Sequence, residues 1–208
     1  MNLAERRRLL KRGVWLECFS IGYNIVEGVI AVLAGWLAGS VALVGFGLDS
    51  TIETTSAIIV LFRLLAEYRG QDKERLEATE RRATRAVGVT LFALAGYILF
   101  QSARTLIRQE APQESLVGIV LAALSLLLMP FLVIGKRRVG RAISSRALLA
   151  DAQETLVCTY LSFTLLLGLV LNAWLGWWWA DPVAALIMVP FIGREAREAW
   201  SGDACCGD

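Results

Sequence analysis

The chain of 208 residues is 56% hydrophobic and 19% charged, with a formal net charge of +2. So much apolar surface makes lipid the expected solvent, and a near-neutral charge without an aromatic-interleaved basic stripe argues against a nucleic-acid partner. Histidine is absent, and the four cysteines (Cys18, Cys158, Cys205, Cys206) form no disulfide framework.

A basic segment, residues 1–13, leads into the first apolar stretch, and no cleavable leader is expected ahead of it. Crossing a bilayer takes about 20 apolar residues at about 1.5 Å each. Six stretches qualify: residues 14–36, 39–65, 83–105, 115–135, 147–173 and 178–196. The expected fold is all-α, a polytopic membrane domain of six transmembrane helices over 14–198 with a short tail at 199–208. Gly35 to Ser40 reads as the first tight turn and Pro112 marks the third connection, while Trp177 to Trp179 reads as an interfacial aromatic cluster. The mixed-charge run from Gln71 to Arg85 reads as a solvated helix extension rather than a docking site.

Basic residues fix the expected orientation. Arg6, Arg7, Arg8, Lys11 and Arg12 precede the first span, and seven more lie between Arg63 and Arg85. Lys136, Arg137, Arg138, Arg141 and Arg146 fall in the fourth connection, and Arg194 and Arg197 lie at the C-terminal end. Only Arg104 and Arg108 face the other way, so both termini are expected on the cytoplasmic side of a cell inner or plasma membrane.

Ionisable groups inside the bilayer are costly unless paired or hydrated, so each is a functional hypothesis. Glu17, Asn24 and Glu27 lie in the first span, Asp49 and Glu53 in the second, and Asp151, Glu154 and Cys158 in the fifth. With no Lys or Arg expected in the membrane interior to neutralise them, a cation from solution or a proton is the expected partner. Asp49 lies about 14 Å from the outer edge, and Cys158 levels with it from the opposite direction, as does Glu154 with Glu53. Each pair is spaced i, i+4 and so projects from one helix face. Asp49, Glu53, Glu154 and Cys158 are therefore the expected metal ligands, four donors that suit a tetrahedral ion.

An internal repeat joins these pairs. Ser40-Val-Ala-Leu-Val-Gly-Phe-Gly-Leu-Asp49-Ser-Thr-Ile-Glu53 aligns with Ser145-Arg-Ala-Leu-Leu-Ala-Asp-Ala-Gln-Glu154-Thr-Leu-Val-Cys158. The two spans run oppositely, so an inverted repeat of three helices each is expected, with its site near the midplane.

Other polar groups receive lesser roles. Asn24 and Glu27 are expected to support the ligands from behind or to hydrogen-bond between helices, and Asp151 to line the ion path or serve structure. Glu17 reads as snorkelling to the inner interface and Asp181, before Pro182, as the cap of its own helix. Cys205 and Cys206 with Asp203 and Asp208 read as a tail rather than a soft-metal trap. Gly88, Ala95, Gly96 and Ala103 give the third span a small-residue face on which a homodimer is expected.

The chain resembles the cation diffusion facilitator family from about Trp15 to Trp200. The resemblance rests on Gly39-Ser-Val-Ala-Leu-Val with the acids after it, on Ala147-Leu-Leu-Ala-Asp-Ala, and on Ala180-Asp-Pro-Val-Ala-Ala-Leu. It implies six helices, cytoplasmic termini, a ligand pair on each of helices 2 and 5, and export of a divalent metal in exchange for protons. The chain departs from that pattern in lacking a site histidine and in placing Cys158 where an aspartate is usual. It also resembles a short branch without the family's cytoplasmic metal-binding domain. The soft thiol favours Zn²⁺, with Cd²⁺, Co²⁺ or Fe²⁺ as alternatives. No cofactor is expected beyond the transported ion. A non-transporting membrane helper or structural subunit and a metal-dependent membrane enzyme are the rival readings. The enzyme lacks support, because no His-rich zinc motif, nucleophile–base set or phosphate-cradling loop is present.

Overall fold

The computed structural model describes residues 3–69, 73–109 and 115–201. These form α1 (Leu3–Ala38), α2 (Val41–Tyr68), α3 (Lys73–Arg108), α4 (Leu116–Ile143), α5 (Arg146–Leu175) and α6 (Ala180–Ser201). The described helices outrun the apolar stretches that announce them, because a nucleated helix propagates through charged turns at little cost. The run from Lys73 to Arg85 is accordingly the first part of α3. Cys205, Cys206, Asp203 and Asp208 lie outside the described residues.

By length and composition, four described helices (α1, α2, α4 and α5) are apolar enough to cross a membrane. They form a bundle in which α1 packs on α2, α4 on α5, α1 on α4 and α2 on α5. The third helices of the two halves, α3 and α6, pack on each other and lean on the bundle through α2 and α5. The small-residue face of α3 is divided: Ala95 is buried in the core, whereas Gly96 and Ala103 are exposed. The burial of Gly88 is outside what the structure describes.

The repeat extends into the backbone. In the α1–α2 turn, Ser40 N–H donates to Gly35 O (3.0 Å) and Gly39 N–H to Trp36 O (3.4 Å). In the α4–α5 turn, Ser145 N–H donates to Gly140 O (2.9 Å) and Ser144 N–H to Arg141 O (3.3 Å). Both are Schellman closures around a left-handed residue, Gly39 at φ 67° and Ser144 at φ 56°. Each following serine then caps the next helix, Ser40 Oγ accepting from Leu43 N–H at 3.1 Å and Ser145 Oγ from Leu148 N–H at 3.4 Å. A Cβ on Gly35 would sit 2.7 Å from Val44 N, and one on Gly140 would sit 3.0 Å from the Leu149 side chain. Glycine at both positions lets the paired helices close up.

A constant shift of 105 residues, from Ser40 to Ser145, relates all of these positions. It also relates the apolar residues that close the bundle ends. Ala42, Leu43, Leu165 and Leu169 are buried together at one end. Their mates Ala147, Leu148, Val60 and Leu64 are buried at the Lys/Arg-rich end with Leu10, Val139 and Ile143. Polar groups in the bundle interior therefore lie between two matched apolar layers.

Candidate functional site

Between those layers, α2 presents Asp49 and Glu53 toward α5, which presents Glu154 and Cys158 in return. The i, i+4 spacing aims each pair at the α2–α5 seam. Asp49, Glu53 and Cys158 are buried, and Glu154 is half-buried. Cys158 neighbours both Glu53 and Asp49, and Glu154 neighbours Glu53. Glu53 Oε1 accepts from Thr155 Oγ1 at 2.8 Å. Glu53 Oε2 and one oxygen of Glu154 are buried without a hydrogen-bond partner. Among the described residues no three Cys, Asp or Glu side chains converge closely enough to hold an ion in this conformation. The four face the α2–α5 seam from two successive turns of each helix and do not converge on a common centre.

Glu27 stands behind this group. Its Oε1 accepts from Tyr23 Oη at 2.9 Å and its Oε2 from Ser50 Oγ at 3.2 Å. Asn24 is fully buried and neither side-chain atom has a hydrogen-bond partner.

The remaining acids have a neighbour that the apolar stretches concealed. Lys136 belongs to α4 rather than to a connection, and its ammonium is fully buried. The expectation that no Lys or Arg lies in the membrane interior is therefore overturned. Lys136 Nζ donates to Asp151 Oδ2, to Ser20 Oγ (3.1 Å) and to Thr155 Oγ1 (3.2 Å). It also stands 3.4 Å from Glu17 Oε2. Asp151 is thus an ion-pair partner one hydroxyl away from Glu53. Glu17 does not snorkel: it is fully buried, because Lys136 lies across the α1–α4 contact and offers it a charge. The Lys136-Arg137-Arg138 run hides the distinction, yet helical register carries a signal. Met129, Leu132, Lys136, Val139 and Ile143 are all buried along one face of α4, and Arg138 and Arg141 fall outside it.

Asp181 is also placed differently. Rather than capping α6, its buried carboxylate accepts from Ser40 Oγ, from Val41 N–H at 3.0 Å and from Ala42 N–H at 3.5 Å. The unpaired amides and positive dipole end of α2 attract it across the bundle.

Comparison with known proteins adds the lineage. Residues 18–200 match the family model described as the cation efflux transmembrane domain. The chain is 26% identical over 170 residues to the cation-efflux pump FieF of Shewanella oneidensis, covering 80% of this chain and 57% of that protein. It is 25% identical over 199 residues to the manganese efflux system protein MneS of Bacillus subtilis, covering 94% of this chain and 68% of the relative. It is 26% identical over 202 residues to the magnetosome protein MamB of Magnetospira sp., covering 94% and 67%. The chain thus spans between about half and two thirds of these relatives' lengths. With a turn-and-cap pattern repeated in its two halves and a family model matched over nearly its whole length, this chain belongs to the cation efflux family.

Proposed function

We propose that the protein carries divalent transition-metal ions across the membrane in exchange for protons, with Asp49, Glu53, Glu154 and Cys158 as the shared ligands. The observation that carries this reading is the pair of partnerless buried carboxylate oxygens, on Glu53 and Glu154, at the seam where α2 meets α5. Buried anionic oxygens without donors are unstable unless a cation or proton takes the place of water. Ionised, the four ligands carry four negative charges, so a divalent ion leaves room for protons to compete at the same atoms. Exclusion of one by the other is the coupling.

The two apolar layers give this exchange its gates. Separating Leu43 from Leu165 and Leu169 opens one end, and separating Leu148 from Val60 and Leu64 opens the other. Because the layers are related by the repeat, one rocking motion opens the first as it closes the second. The distribution of basic residues supports cytoplasmic termini, and the relatives named as efflux proteins support transport directed outward. Zn²⁺ is the favoured substrate, because one thiolate among three carboxylates suits a borderline-soft ion better than Mg²⁺ or Ca²⁺.

The test is Zn²⁺ uptake into proteoliposomes under an imposed pH gradient. Wild type should accumulate Zn²⁺ as protons move the other way, and Asp49→Ala should lose that uptake. A wild type that moves no Zn²⁺, Cd²⁺ or Mn²⁺, or an Asp49→Ala variant as active as wild type, removes the reading.

A further inference from the structure

The Glu17–Asp151–Lys136 group lies off the ligand set, and its charges do not balance. Glu17 comes from α1, Lys136 from α4 and Asp151 from α5, and all three are buried. Two carboxylates against one ammonium leave one negative charge over. Lys136 spends its donors on Asp151, Ser20 and Thr155. Its approach to Glu17 is an ion pair at 3.4 Å, and neither Glu17 oxygen accepts a hydrogen bond. One Asp151 oxygen is likewise buried without a partner. Lys136 Nζ lies within 3.4 Å of an oxygen of each, so the two carboxyls stand side by side around one ammonium. Two carboxyl groups so placed can hydrogen-bond to each other only when one of them supplies a proton.

From this geometry we infer that Glu17, Asp151 and Lys136 form a separate proton-holding site, which keeps one exchangeable proton on Glu17 and gives it up when metal occupies the α2–α5 seam. The inference rests on the transport reading above and adds to it a proton that is not carried on a metal ligand. The proton neutralises the excess charge and supplies the missing donor. Lys136 keeps its own proton throughout and serves as the fixed cation.

The link to metal runs through Thr155. Its hydroxyl accepts from Lys136 at 3.2 Å and stands 2.8 Å from Glu53 Oε1 and 3.0 Å from the Asp151 carbonyl. One hydroxyl hydrogen serves only one of those two acceptors at a time. An ion that claims Glu53 turns the Thr155 hydrogen back to the Asp151 carbonyl, which lies on its own helix. The added positive charge, one hydroxyl away from Lys136, then favours departure of the Glu17 proton to water once the end layer opens. The charged groups facing Glu17 are Lys136 from α4 and Asp151 from α5, with Glu53 of α2 acting on it through Lys136 and Thr155.

Two measurements on the full chain test the site. In proteoliposomes carrying an internal pH indicator, Glu17→Gln should still move Zn²⁺ while its counterflow loses about one proton per ion. In lipid nanodiscs, infrared difference spectra with and without Zn²⁺ should show protonated-carboxyl carbonyl absorption in wild type, to which the α2–α5 ligands also contribute. One component of that absorption should be lost in both Glu17→Gln and Asp151→Asn, so the second variant serves if the first folds poorly. An unchanged proton-to-ion ratio in Glu17→Gln, or a carbonyl region identical to wild type in both variants, overturns the inference. A wild type without Zn²⁺ flux instead removes the transport reading, and the infrared component still decides whether the proton is there.

Discussion

At the Lys/Arg-rich end, Glu17, Lys136 and Asp151 meet just inside the apolar layer. The 105-residue shift carries those positions to Ala122, Ala31 and Phe46, which are fully buried in one apolar cluster near the opposite end. The hydroxyl positions around them are kept: Ser20 corresponds to Ser125, and Thr155 to Ser50. So are the turns, the caps and the end layers. Backbone closure and small hydroxyls can serve either half, since a turn needs the same hydrogen bonds at both ends. Charge is different. A buried ion pair needs all of its members at once, and a single one placed in the other half would be a lone charge in an apolar core. The halves are alike where the fold is made and unlike where charge is held.

The strongest way to break that contrast is to remove its cation. Lys136→Met leaves two acids buried against each other, and should cost about 3–5 kcal/mol in unfolding measured in nanodiscs. Adding Glu17→Gln should recover part of that loss. No recovery would mean that Lys136 acts by packing alone. The turns offer a gentler comparison. Gly35→Ala drives a Cβ against the Val44 backbone, and should cost about 1–3 kcal/mol. Gly140→Ala presses on the movable Leu149 side chain at 3.0 Å and leaves the Leu149 backbone nitrogen at 3.4 Å, so its midpoint should fall by less, and equal losses would argue against the two turns differing in closeness.

The ligand pairs differ too, since Glu53 corresponds to Cys158. Replacing the thiol in Cys158→Asp should lower the Cd²⁺-over-Mn²⁺ preference about tenfold, or about 1.4 kcal/mol, in competition assays. An unmoved ratio would show that Cys158 does not touch the ion. The smallest effect is expected at Ser144, which holds the left-handed position that Gly39 fills in the first half. Ser144→Gly should stabilise by about 0.5–1 kcal/mol in the same unfolding assay.

The apolar stretches foretold the helices well, because lipid allows a long apolar run few other structures. That the acids of α2 would face α5 was legible as well, since i, i+4 spacing sets both members of a pair on one helix face. Lys136 was misread for a definite reason: hydropathy assigns a residue by its neighbours along the chain, and its neighbours are Arg137 and Arg138. Its real neighbours are Asp151, Glu17, Ser20 and Thr155, which only α4–α5 and α1–α4 packing brings near. Asp181 fails in the same manner. Its local sequence fits a cap, but the amides it serves begin 140 residues earlier, at Val41.

That distance bears on how the chain assembles in the bilayer. Val41 and Ala42 enter the membrane early, and their amides have no intrahelical acceptor in the first turn. The carboxylate that satisfies them sits on α6, which is synthesised after the other five described helices. Until α6 docks, the start of α2 must rely on water or lipid headgroups, and the first hairpin is provisional. A chain ending before Ala180 would retain all four strongly apolar helices and yet lack the group that fastens the second of them. Completion of the sixth helix is thus a checkpoint for the α1–α2 turn: a helix made later locks a joint made well before it.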